Sequence, residues 1–189
     1  MQRIFIFITI VFISCGETGT TNVTSNDSAQ FIADTMQNKA VLTFLSDNTK
    51  VCLFTKQSDI EFAFHKNFKV DTLNYAELQL IENKLLHSID SFNVEGTKRM
   101  DKRQRELGPS VKIDRNYFVI DISRYKFQIA PAINDKNEKE VWINAFCKDN
   151  DRNWRTEIIT TKDGGICYFN STINLTTKQI LYFIVNDDI

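Results

Sequence analysis

Glycine and proline are scarce, with six and two in 189 residues. That excludes collagen-like and low-complexity chains. Charge of one sign is not in excess either: 23 basic residues stand against 24 acidic ones, a formal charge of −1. The chain therefore offers no bulk electrostatic footprint for nucleic acid. Histidine occurs twice, and no HExxH, CxxC, G-x-S-x-G or P-loop spacing is present. No catalytic set, metal site or cofactor cradle is expected from motifs of that kind. What the chain has in quantity is apolar residues, 42% of the total. That is enough to build a core, and the length suits one domain, at most two.

Only one long hydrophobic run occurs. Arg3 precedes ten residues, Ile4 to Ile13, that are apolar apart from Thr9. In a helix ten residues reach about 15 Å, half of a bilayer core of roughly 30 Å, so a spanning helix is not expected. A positive start, a short apolar run and the small residue Ser14 read as a secretory signal over residues 1–14. Phe12-Ile13-Ser14-Cys15 resembles the lipobox of bacterial lipoproteins, with Phe12 where Leu is usual. The resemblance implies that Cys15 takes a diacylglyceryl group, becomes the first residue and holds the protein to a lipid membrane. Two or three acyl chains, at about 0.8 kcal/mol per buried CH₂, make a lasting anchor. Residues 15–29 are small and polar, which reads as a flexible tether. A single domain is then expected over residues 30–189.

Along that domain, residues 30–39 suggest a short helix through Phe31, Ile32 and Met36. Residues 41–46 and 51–56 are β-rich on either side of Asp47-Asn48-Thr49-Lys50, a hairpin signal. Ile60, Phe62 and Phe64 alternate as in a short strand. Asn74 and Glu77 stand in capping-box spacing, and Leu78, Ile81, Leu85, Ile89 and Phe92 recur as one helical stripe. Gly96 is expected to close that helix. Lys98, Arg99, Lys102, Arg103 and Arg105 then form a basic stretch, read as a solvated loop or a contact for anionic lipid or glycan. No aromatic residues interleave there, so a single-stranded nucleic-acid platform is not expected.

The last third alternates with period two. Residues 124–133, 141–147, 154–161, 166–175 and 179–186 read as strands of an antiparallel meander. Pro131 is expected on an edge or at a bulge. Asp163-Gly164-Gly165 is expected to form the tight turn between the third and fourth of these strands. The fold class is α+β, with one long helix on a meander sheet, preceded by a hairpin. Its order resembles that of cystatin-like and nuclear-transport-factor-like folds.

Cys52, Cys147 and Cys167 accompany Cys15. In a simple meander an intervening strand would hold Cys147 and Cys167 roughly 20 Å apart. A disulfide between them is therefore not expected, and Cys167 reads as a small buried hydrophobe. His65 and His87 read as isolated histidines, and Asp149, Asn150 and Asp151 as a plain turn rather than a calcium loop.

The stretch from Lys139 to Asn186 resembles the C-terminal half of an uncharacterised family of small exported lipoproteins of Bacteroidota. The matching residues are Val141 to Asn144, Phe146-Cys147, Trp154, Asp163 to Gly165, Cys167 to Phe169, Ile173 to Leu175 and Val185-Asn186. Ala145 and Asp187 depart from the family pattern, which has Cys and Gly there. The resemblance implies export and lineage, and no activity. It also makes Asp-Ser/Thr sites for O-glycosylation relevant, namely Ser28, Thr35 and Thr72. Three functions are then in play. The first is an envelope lipoprotein that binds a protein or glycan without catalysis. The second is a small pocket enzyme using Glu82, His87 and Asp90 on the helix. The third is a cystatin-type peptidase inhibitor, for which Gln128 supplies the Gln of Q-x-V-x-G but the Val and Gly are missing.

Overall fold

The computed structural model describes residues 44–45, 47–65, 68–148, 152–161 and 164–186. Its largest element, apart from the sheet, is a helix of 33 residues. The sheet carries a strand β1 (Val51–Leu53), a helix α1 (Gln57–Phe64), a strand β2 (Lys69–Val70) and the long helix α2 (Tyr75–Leu107) before the meander. The meander strands are β3 (Lys126–Ile133), β4 (Lys139–Phe146), β5 (Tyr168–Asn174) and β6 (Gln179–Val185). The class is α+β. The sheet runs β1-β3-β4-β5-β6, with β2 also on β3.

Helix α2 starts where its sequence says it should. The Asn74 side chain accepts from the Glu77 N–H at 3.0 Å, and the Glu77 carboxylate accepts from the Asn74 N–H at 2.8 Å. This reciprocal box satisfies two donors that the first turn leaves orphaned. Ile81, Leu85 and Ile89 are buried against Phe127, Ile129, Val141, Ile143, Phe169 and Ile173 of the sheet. The helix does not close at Gly96, as the sequence suggested, but runs on to Leu107. Nothing from residue 97 to 107 breaks it, and Lys98–Glu95 and Arg103–Glu106 pair along its surface. The stop is at Gly108, whose N–H bonds the Gln104 carbonyl while the Gln104 amide donates to the carbonyls of Gly108 and Val111. The basic stretch is thus mostly helix rather than loop.

Gly96 serves a different purpose. The chain returns across α2 after residue 108, and a Cβ on Gly96 would lie 1.8 Å from the Phe118 carbonyl oxygen. One turn earlier, Asn93 donates to the Ile120 carbonyl at 2.9 Å and accepts from its N–H at 2.6 Å. Gly96→Ala, which in a free helix gains about 1 kcal/mol, is therefore expected to lose about 1–2 kcal/mol through overpacking. Thermal denaturation checks this. A stabilised variant would show that the returning segment does not close on the helix.

Strands β3 to β6 form the antiparallel meander that the alternation predicts, with ends shifted by one or two residues. Their turns use left-handed residues, Asn137 (φ 62) and Lys178 (φ 59). Pro131 lies on β3 where its flank passes from β1, paired at 127–129, to β2, paired at 132–133. Its carbonyl accepts from the Asp71 N–H at 3.1 Å, so its nitrogen faces the same flank, where no ladder donor is needed.

Two expectations are corrected, those for residues 57–64 and 154–161. Val51–Leu53, expected as one arm of a hairpin, pairs in parallel with β3. The other arm of that hairpin and the helix expected at 30–39 fall largely or wholly outside the described residues. Residues 57–64 are helical, not extended, because Ile60, Ala63 and Phe64 also satisfy helical spacing; Ile60 and Ala63 are buried against Ala130, Ala132 and Trp142. Residues 154–161 are turn and coil rather than a strand.

That loop covers the face of the sheet opposite α2, held by one amide. Gln128 is fully buried, and its Nε2 donates to the carbonyls of Trp154 (2.6 Å) and Glu157 (2.7 Å). Its Oε1 accepts from the Ile159 N–H (2.9 Å) and the Asn144 amide (2.8 Å). Asn144 also donates to the Ile159 carbonyl at 2.8 Å. All the bonding capacity of the Gln128 amide is used. Trp154 and Ile159 are thereby seated on Phe146 and Tyr168.

At the other end of the sheet Lys139 joins β4 to α2, with Nζ 2.8 Å from Glu77 and 3.1 Å from Asp71. Burial alone would lower the Lys139 pKa, but hydrogen bonds to Glu77 and Asp71 outweigh it and hold the pKa above the usual value. For Asp71, burial pushes the pKa up, and the Thr72 N–H and Lys139 together bring it below the carboxylate range. The Lys139 contribution is full below the lysine range and is lost as pH rises through the raised pKa. That of Asp71 is present above the carboxylate range and is lost as pH falls through the lowered one. Lys139→Met is expected to cost about 1–2 kcal/mol near neutral pH. In melting curves the gap from wild type should be widest between about pH 5 and 9 and narrow at both extremes. A gap independent of pH would contradict the ion pair.

Candidate functional site

A cleft of ≈ 620 Å³ opens at the end of the sheet where β3 begins, β4 ends and β5 begins. One wall is the segment returning from α2. Asp114 and Asp121 each cap a single 3₁₀ turn there, accepting from the N–H of Asn116 and of Ser123 at 2.9 and 3.1 Å. These short turns set the exposed Tyr117 (72%) and Arg124 along the cleft, with Arg124 bonded to the Asn116 side-chain oxygen at 2.6 Å. Arg99 of α2 also lines the cleft, its guanidinium 5.4 Å from the Phe92 ring centre.

The opposite wall is a disulfide between Cys147 and Cys167, with Cα atoms 5.1 Å apart. This corrects the expectation that the two are held apart. Because residues 154–161 are not a strand, β4 and β5 are direct neighbours, and the two cysteines lie just beyond the Phe146–Tyr168 pair. The Cys147 N–H bonds the Cys167 carbonyl at 2.9 Å. The tight hairpin expected at Asp163-Gly164-Gly165 is corrected with it. Asp163 lies outside the described residues, and Gly165 (φ +57) opens a 3₁₀ turn into β5. At Gly164 a Cβ would lie 1.9 Å from the Tyr168 ring. Both glycines line the cleft.

Two tyrosines fix the walls. The Tyr125 hydroxyl donates to the Ile166 carbonyl, and the Tyr168 hydroxyl to the Lys148 carbonyl at 2.7 Å. Burial pushes the Tyr125 phenol far up, so it stays a donor rather than an acid. Asp121 is held below the usual carboxylate range, first by the Ser123 hydroxyl at 2.7 Å. The cleft therefore sets the cations Arg99, Arg124 and Lys148 among the anions Asp114 and Asp121. Such a lining orients a ligand with both donors and acceptors, and among the described residues it includes no histidine and no free thiol.

The remaining candidate residues are dispersed. Glu82 is 3% exposed and accepts from the Phe44 N–H at 3.5 Å, while His87 and Asp90 are exposed, so the three do not converge. His65 ends α1 in a left-handed conformation. Gln128 lies inside the sheet rather than on an exposed hairpin, which removes the cystatin-type contact. Cys52 is a free thiol donating to the Arg155 carbonyl at 3.3 Å, its pKa raised by burial. Thr72 is exposed just before the α2 cap. Cys15, Ser28, Thr35 and the Asp149 to Asp151 turn lie outside the described residues. Among the described residues no group of His, Cys, Asp or Glu is placed to hold a metal ion.

The sequence reading singled out Arg99, Gly164 and Gly165 but missed Arg124, Lys148, Asp114, Asp121 and Tyr117. The two aspartates, each two residues before a polar one, were legible as turn caps, not as partners in one site. Set against protein-family models, curated proteins and solved structures, the chain matches none of them.

Proposed function

We propose that the protein is a membrane-anchored cell-envelope lipoprotein whose domain is a non-enzymatic binding or accessory module. It takes part of a protein partner or a glycan in the cleft beside the disulfide. The observation that carries the binding reading is the cleft's lining: charges of both signs around an exposed tyrosine, on walls tied by a disulfide and two tyrosine hydroxyls. Pre-set donors and acceptors lower the ordering cost of binding a polar ligand. The disulfide also supports export, since such bonds persist in oxidising compartments. The short apolar run ending at Ser14-Cys15 supports the anchor, with the membrane as the lipid partner.

Metabolic labelling with a clickable fatty acid tests the anchor. The wild type is expected to take the label and partition with membranes, and Cys15→Ala to do neither. An unlabelled wild type would remove the lipoprotein reading and leave the cleft to be tested by itself.

A further inference from the structure

We infer that the sheet carries a second binding site, on the face opposite α2, that takes a neutral sugar unit. A cleft of ≈ 320 Å³ lies there over β4 and β5, lined also by residues 159–161 of the covering loop and 184–186 at the end of β6. Its volume is at the lower end of small-ligand sites. It shares no described lining residue with the cleft beside the disulfide, so it does not rest on that site.

The period-two pattern puts Trp142 and Asn144 of β4, and Asn170 and Thr172 of β5, on this face. The register sets Asn144 beside Asn170 and Trp142 beside Thr172. Asn144 is 4% exposed, and its Nδ2 is committed to Gln128 and Ile159. Among the described residues its Oδ1 accepts no hydrogen bond. Trp142 is 6% exposed, and its indole N–H donates none there either. The half-buried Asn170 commits neither side of its amide. All three line the cleft. Just outside the lining, Thr172 keeps a buried hydroxyl with no partner. Buried polar groups are normally paired with protein, water or ligand. This face is therefore completed by hydrogen bonds from outside the fold.

The open groups select the ligand. They are a donor on Trp142, an acceptor on Asn144 and an amide on Asn170 that offers both. Among the described residues the lining has no Lys, Arg, Asp or Glu. An ion would lose its hydration there without gaining a counter-charge. An apolar ligand would leave the same groups unpaired. A peptide strand is captured through a sheet edge, whereas this cleft presents side chains on a sheet face. Sugar hydroxyls both donate and accept, and the C–H face of the ring can rest on Ile184, 60% exposed, in the lining.

The test uses the full chain in a sugar-free detergent, with methyl glycosides of neutral hexoses and N-acetylhexosamines as probes. Tryptophan emission reports binding, because Trp142 is one of only two tryptophans. At least one neutral glycoside is expected to change it saturably, and more tightly than glucuronate or a blocked neutral dipeptide. In isotope-labelled protein, the Asn144 and Asn170 amide and Trp142 indole resonances should shift with the same midpoint. Asn170→Leu removes an amide that bonds nothing in the described fold, so the dissociation constant should rise about fivefold or more without loss of melting midpoint. No saturable response to any neutral glycoside at tens of millimolar would overturn the inference. So would tighter binding of glucuronate or the dipeptide, or binding that leaves those three resonances in place. Binding kept in Asn170→Leu but lost in Arg124→Glu would also overturn it, by putting the sugar beside the disulfide.

Discussion

Gln128→Leu is expected to lower stability by about 4 kcal/mol, among the largest losses a single substitution here can cause. Leucine matches the volume roughly and suits a buried strand position. It nevertheless removes the partner of the Trp154 and Glu157 carbonyls, of the Ile159 N–H and of one Asn144 hydrogen. A buried group left unpaired costs about 1–3 kcal/mol, and the loop limits the total by lifting away and rehydrating. That escape exposes Trp154 and Ile159, which are 8% and 2% exposed in the fold. Urea unfolding should therefore show a lower midpoint together with red-shifted tryptophan emission before the main transition. A loss below about 1 kcal/mol would mean that the amide does not hold the loop.

Removing the disulfide is the second large effect. Cys147 and Cys167 are separated by 20 residues in sequence, and closing a loop of that size contributes about 3 kcal/mol in the chain-entropy account. Cys147→Ala/Cys167→Ala should melt about 10 °C below the wild type. Reductant should bring the wild type to the same temperature and leave the double variant unmoved. If reductant leaves the wild type unmoved, or if the double variant melts with it, the bond is not part of the native protein. The double variant also spares the molecule two new thiols beside Cys52.

What was legible in the sequence follows from how local each signal is. The start of α2 rests on two residues three apart and one stripe, so both could be read directly. Strands β3 to β6 alternate over seven or eight residues between polar turns, so their order and faces could be read as well. Strand β1 could not be placed, because its parallel partner lies beyond both helices and no local pattern names it. Ile60, Phe62 and Phe64 fit two periods at once, and burial by Ala130, Ala132 and Trp142 decides for the helix. Residues 154–161 are rich in β-formers, but their backbone groups bond to the side chains of Gln128 and Asn144 instead of to a strand. The disulfide was missed for that reason alone. The cleft was hidden because it needs α2 to continue past Gly96 and the chain to fold back over it, which brings Asp114, Asp121 and Arg124 to Cys147 and Cys167.

The binding claim meets its most direct test on the lining of the cleft beside the disulfide. A photo-crosslinking residue in place of the exposed Tyr117, in the full chain in intact cells, should give a discrete adduct. Adding Arg124→Glu should abolish that adduct while the melting midpoint stays that of the Tyr117 variant. No adduct at Tyr117, or one that survives the charge reversal undiminished, would contradict a binding site between the returning segment and the disulfide.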